Sequence, residues 1–163
     1  MRAPELFSFP NPVNEKAARA VAGGVVVLAV VTLATQWFWL LIPLAYGFLA
    51  RVLTGPTLSP LGQLATRVVA PRLGAPKPVP GPPKRFAQGM GAAITAAAVV
   101  TWFGFGLTVP TVVLLALLVV AATLESVFAI CIGCRVFAAL MRLGVVPESV
   151  CEQCNDIALR QPS

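Results

Sequence analysis

The chain of 163 residues contains no histidine. That absence removes the side chain that most often acts as a general base near neutral pH and most often ligates metals. A Ser-His-Asp or Cys-His catalytic arrangement therefore cannot be assembled from this chain alone. Charge is also scarce: 11% of residues are Asp, Glu, Lys or Arg, against about 25% in an average soluble domain. Acids are the rarer sign, six against twelve Lys and Arg. What the sequence has in quantity is apolar. Hydrophobic residues make up 58% of it, and they fall in long uncharged blocks, each close to the roughly 20 residues that one membrane-spanning helix needs. The net charge of +6 reads as basic flanks meeting anionic lipid. No nucleic-acid motif accompanies it, and no soluble segment interleaves basic and aromatic residues.

Four spans are expected, at about 17–35, 37–53, 86–103 and 110–132. A cleavable leader is not expected, because the first apolar block follows Glu5 and Glu15, has no clean small-x-small site after it, and precedes three more such blocks. Asn14 is placed to cap the first helix, and Gly23 and Gly24 inside it would let a neighbouring helix approach. Trp37-Phe38-Trp39 suits a membrane interface, Pro43 predicts a kink, and Arg51 at the end of the second span is expected to reach toward the headgroups. In the third span Gly89, Ala93 and Ala97 form a small-residue stripe for close helix packing.

Residues 54–85 differ in kind. They hold eight of the 15 prolines, five basic residues (Arg67, Arg72, Lys77, Lys84, Arg85) and no acid. Ser59-Pro60 predicts the capped start of a short amphipathic helix running to about Val69 on the membrane surface. The run 75–83 reads as an extended Pro-rich tether, with a proline-motif ligand as the alternative. With four spans, residues 1–16, 54–85 and 133–163 share one side, and only the turns 35–36 and 104–109 face the other. All 12 Lys and Arg lie within or next to the first side. Positive loops stay cytoplasmic, so both termini are expected inside the cell, at the inner (plasma) membrane. The expected organisation is an all-α integral membrane domain, 1–135, built as two helical hairpins with short amphipathic cytoplasmic helices, followed by a cytoplasmic cysteine-containing tail, 136–163.

The four cysteines stand at 131, 134, 151 and 154, a Cys-x2-Cys-x16-Cys-x2-Cys pattern. Three readings compete. Cys131, Cys134, Cys151 and Cys154 have the spacing of a four-cysteine zinc site. Alternatively, one pair cycles between dithiol and disulfide or carries sulfur. The third reading, packing alone, explains little about two matched pairs. A reactive thiol wants a helix N-terminus or a nearby cation. If the fourth span reaches residue 132, Cys131 sits at its negative pole. Glu148, Glu152 and Asp156 disfavour thiolates at the second pair. Redox chemistry is therefore expected at Cys131 and Cys134, with Cys134 the nucleophile. Glu125 is the only acid inside a span. Such acids face the protein interior and find a partner, and Arg51, at the same depth, is the expected one. On an ideal helix Glu125 points away from Cys134.

The segment Glu125-Ser-Val-Phe-Ala-Ile-Cys131-Ile-Gly-Cys134-Arg resembles the terminal signature of a bacterial membrane family called domain of unknown function 4395. Lys84-Arg85-Phe86-Ala87 and the Arg51 ending of the second span are similar to it too, so that the resemblance covers roughly residues 10–135. The tail Pro147-Glu-Ser-Val-Cys-Glu-Gln-Cys154 resembles an extension of actinobacterial members. The resemblance implies thiol or sulfur chemistry with a thioredoxin-like or rhodanese-like partner, because members stand beside such proteins. It brings the redox reading level with zinc, and it assigns no reaction.

Overall fold

The computed structural model describes residues 7–147 and 149–150. About 76% of the protein is helical, with few strands. A two-residue strand β1 (Val13–Asn14) leads into α1 (Glu15–Thr35), and Asn14 accepts a hydrogen bond from the Lys16 amide at its start. A 3-10 turn, Phe38–Leu40, runs straight into α2 (Leu41–Thr54). Next comes α3 (Pro60–Leu64), which continues through a π turn, Ala65–Val69, to Ala70–Arg72. Strand β2 (Pro78–Val79) precedes α4 (Gly81–Val99), which ends in a π turn, Val100–Gly104. The last long helix is α5 (Thr108–Phe128), and α6 (Ile132–Arg142) follows it.

Three helices, Glu15–Thr35, Gly81–Gly104 and Thr108–Phe128, are long and apolar enough to cross a membrane, and Phe38–Thr54 is a shorter apolar helix. Their outward faces carry apolar side chains such as Val27, Val31, Leu117 and Val120, as suits a bilayer environment. The chain is therefore a membrane protein. Inside, Val25, Ala29, Leu41, Ala98 and Leu115 belong to one core. The buried hydroxyls of Thr32, Thr54, Thr95 and Thr111 each donate to the carbonyl four residues earlier, which meets the demand that polar groups in lipid be satisfied internally.

Several expectations are corrected by the packing. Helix α1 packs chiefly on α5, and α2 chiefly on α4, rather than each on its sequence neighbour. Ala93 and Ala97 face outward and Gly89 has open space around it. The close approach falls instead at Gly91, where a methyl group would strike the Phe48 ring of α2. The kink expected at Pro43 is a change of helix type, because the 3-10 turn leaves Pro43 in the first turn of α2, where its missing N–H costs little.

The segment 75–83 is no free tether. Val13 pairs with Val79 and Asn14 with Pro78 in an antiparallel ribbon, and Lys77 Nζ meets Glu15 Oε2 at 2.8 Å. The Pro-rich loop is thus tied to the start of α1. The Ser59 cap forms as expected, with Oγ accepting from the Gly62 amide at 3.1 Å. However, Ser59, Gly62, Ala65 and Ala70 are buried against the body of the protein. At the other end of the bundle Phe38 stacks on Trp102 at 4.1 Å and Trp39 meets Phe103 at 5.1 Å, which brings the two aromatic turns together.

The two glycines of α4 make a test. Gly91→Leu should lower stability by about 1–3 kcal/mol or more through overpacking against Phe48, and Gly89→Leu should be nearly neutral. Unfolding midpoints in detergent micelles check this; equal losses for the two variants would contradict the packing.

Candidate functional site

The first turns of α4 and α6 and the last turns of α2 and α5 meet at one end of the bundle. Their meeting depends on where two helices begin and end. Helix α4 starts at Gly81, five residues before the expected boundary, because Pro82 and Pro83 are pre-set for a first helical turn. That places Lys84 inside the helix and against α5. Helix α5 stops at Phe128, four residues before its expected end. Ala129 takes a left-handed conformation (φ 57°), which is uncommon for a residue with a Cβ. The freed carbonyls at the end of α5 are met by α1: Arg19 Nε donates to the Ser126 carbonyl at 3.0 Å and its Nη2 to Val127 at 3.1 Å.

The early stop changes the setting of the cysteines. Cys131 lies outside α5, at the N-cap of α6, and its Sγ accepts a hydrogen bond from the Cys134 amide at 3.3 Å. It therefore faces the positive pole of a helix, not the negative pole of the preceding one. Both thiols are free; Cys131 is buried and Cys134 half-buried. The Cys131 thiol titrates below its ordinary value. The hydrogen bond from the Cys134 thiol is the main cause, with further help from the Lys84 ammonium and the Cys134 amide, against desolvation and the Glu125 charge. Cys134 is pushed up, first by that same hydrogen bond and then by burial and the Cys131 charge. The electrostatic preference expected for Cys134 is thus reversed. The helix break at 129–131, ahead of the expected end at 132, puts Cys131 at the start of α6.

Glu125 also has a different partner from the one expected. Lys84 Nζ meets Glu125 Oε1 at 2.6 Å with both side chains largely buried. Arg51 turns elsewhere: Nε donates to Gln88 Oε1 at 2.8 Å and Nη1 to Ser59 Oγ at 3.1 Å. It does not reach toward headgroups, being 5% exposed. Glu125 does not point away from the thiols either. Lys84, Glu125, Cys131 and Cys134 line one open cleft of about 590 Å³, with Arg19 and Arg135 at its edge.

Gly133 fixes the approach of α6. A methyl group there would lie 2.5 Å from both Cα and Cβ of Ala87 in α4, so the N-terminus of α6 rests directly on that helix. One turn further along α6, Phe137 packs on Phe86 at 5.6 Å between ring centres. The glycine of Cys-x-Gly-Cys and the Lys-Arg-Phe-Ala segment are therefore two sides of one contact. Sequence reasoning singled out both segments without joining them. It missed Lys84 as the ion partner, although the Pro-Pro pair before it is a helix-start signal. No local signal pointed to Arg19.

Among the described residues no three or more Cys, His, Asp or Glu gather as a metal site. Cys151 and Cys154, needed for the four-cysteine reading, lie outside the described residues. The family model described as Domain of unknown function (DUF4395) matches residues 13–142, and the chain belongs to that family. No curated protein and no solved structure matches it.

The ion pair yields a prediction with a sign. Lys84→Met alone strands a buried carboxylate and should cost about 3–5 kcal/mol. Lys84→Met combined with Glu125→Leu should recover most of that loss. Equilibrium unfolding in mixed micelles reads both; a double variant as damaged as the sum of its singles would show that the two side chains do not act as a pair.

Proposed function

We propose that the protein is a four-span membrane component of thiol–disulfide exchange or sulfur relay, with Cys131 as the attacking thiol and Cys134 as the resolving one. The observation that carries this reading is the Cys131 sulfur at the N-cap of α6, receiving the Cys134 amide within a cleft that also holds Lys84. A sulfur so placed is favoured as thiolate by oriented N–H groups and a cation.

With a thioredoxin-like partner in its disulfide form, the Cys131 thiolate attacks one partner sulfur. A Cys131–partner bond forms, the partner's own S–S bond breaks, and its second sulfur leaves as a thiolate that takes a proton. Cys134 is then released from the thiolate that had raised its pKa. It gives its proton to water and attacks Cys131 Sγ. The Cys131–Cys134 disulfide forms, and the partner departs as a dithiol carrying two electrons. Run backwards, the same steps reduce this chain. With a rhodanese-like partner bearing a persulfide, the Cys131 thiolate takes the terminal sulfur and the partner leaves as a thiolate, with no net redox change.

The fourth span of this reading is Phe38–Thr54. Its 17 residues give about 26 Å of helix, near the short limit for a bilayer core of about 30 Å. Exposed Trp37 and Trp39 would anchor one end. The charge map favours a cytoplasmic cysteine end at the plasma membrane. Reduced thiols are expected there, available for exchange. The zinc reading differs in class, since it makes the protein a structural module, and it requires Cys151 and Cys154.

Three readouts separate these readings. Cys134→Ser should accumulate a mixed disulfide or persulfide on Cys131, and Cys131→Ser should trap nothing; absence of any adduct from either variant would remove the exchange reading. Near one zinc per chain by elemental analysis, lost in Cys154→Ser, would establish the structural module instead. Maleimide labelling of the cysteines should require cell lysis, and labelling of Cys151 from outside intact cells would reverse the orientation.

A further inference from the structure

A second cavity, of about 270 Å³, lies on the other side of Lys84, between the N-terminal segment, α1, the end of α2 and α3. Its walls are chiefly apolar, with Pro10, Val13, Ala17, Val21 and Pro56 among them, and its polar lining includes Arg51, Lys84 and Gln88. Among the described residues two cations line it and no acid does.

Those cations are not equivalent. Lys84 is neutralised by Glu125. Arg51 has no carboxylate within ion-pairing distance among the described residues. Its guanidinium lies over the Phe48 ring at 4.6 Å, and two of its nitrogens are held by the neutral acceptors Gln88 and Ser59. The third, Nη2, is buried with no hydrogen-bond partner among the described residues. A buried donor without an acceptor costs free energy, and more so when it is charged. A buried charge without a counter-ion costs more again. The guanidinium is held rigidly on three sides, so it cannot turn away to find solvent. Among the described residues this cation lacks an acceptor for one of its donors.

We infer that this cavity binds a small amphiphilic oxyanion, a carboxylate or phosphate carried on an apolar body, with the Arg51 guanidinium in its lining as the principal cation. The apolar wall accounts for the body and the guanidinium, hydrogen-bonded only to neutral acceptors, for the anion. The volume sits just under the range of about 300–1,000 Å³ of ordinary ligand pockets, so the bound portion is small. Two sources share this chemistry: the head region of a bilayer lipid and a free small-molecule anion.

The test uses the full-length protein in a neutral detergent, with octyl phosphate, octanoate and inorganic phosphate as probes. Thermal unfolding and isothermal calorimetry read binding, and native mass spectrometry reads anionic lipid carried through purification. Saturable stabilisation by octyl phosphate or octanoate is expected, with inorganic phosphate weaker. Arg51→Gln should weaken binding by about tenfold or more, the loss of one charge-assisted contact. Ala18→Phe, which narrows the cavity without touching Arg51, should do the same and keeps the test valid if Arg51→Gln does not fold. Exposed Arg72→Gln should leave binding unchanged. A retained anionic lipid displaced by octyl phosphate would identify the source as the bilayer; a lipid-free protein that binds the probes would identify a soluble anion. No saturable binding of any probe and no retained lipid, or binding by both Arg51→Gln and Ala18→Phe as tight as that of the unaltered protein, would overturn the inference.

Discussion

The ion pair between Lys84 and Glu125 is the contact on which the arrangement at this end of the bundle depends. Each group is costly to hold in an apolar environment and tolerable only beside the other. Lys84 belongs to the first turn of α4 and Glu125 to the last turn of α5. Their contact at 2.6 Å therefore fixes where α4 begins relative to where α5 ends. Arg19 secures the same boundary from α1 by donating to the Ser126 and Val127 carbonyls of α5.

With that boundary set, the chain has three residues, 129–131, in which to turn from α5 into α6. The left-handed Ala129 makes the turn, and Cys131 becomes the cap of the next helix. Gly133 lets that helix rest on Ala87, three residues beyond Lys84. The sequence Cys-x-Gly-Cys thus combines two demands. The first cysteine caps α6, and the glycine allows the contact that brings that cap into the cleft with the Lys84–Glu125 pair. With Glu125 in contact with Lys84, Arg51 is held by the neutral acceptors Gln88 and Ser59 and lines the neighbouring cavity.

Much of the fold was legible in the sequence because apolar blocks, caps and prolines are local signals. Asn14 and Ser59 cap the helices they were expected to cap. What was not legible was set by contacts between distant residues. The end of α5 lies at 128 rather than 132, where a guanidinium more than a hundred residues away donates to its carbonyls. The partner of Glu125 was assigned by depth alone, which favoured Arg51; the true choice depended on α4 starting at Gly81. The stripe of Gly89, Ala93 and Ala97 was the local signal in α4, and only tertiary packing selects Gly91 over Gly89 as the close approach. The preference between the two thiols followed from the same error in one helix boundary.

The central claim is that Cys131 is the reactive thiol because it caps α6 and accepts from Cys134. Its most direct test is the pH dependence of iodoacetamide alkylation, resolved by residue through peptide mass spectrometry on the reduced protein. The account predicts that Cys131 reacts first and at a lower pH than an ordinary thiol, that Cys134 reacts only at a higher pH, and that Cys134→Ala moves the Cys131 profile upward. Cys134 reacting first, or a Cys131 profile unmoved by Cys134→Ala, would contradict it.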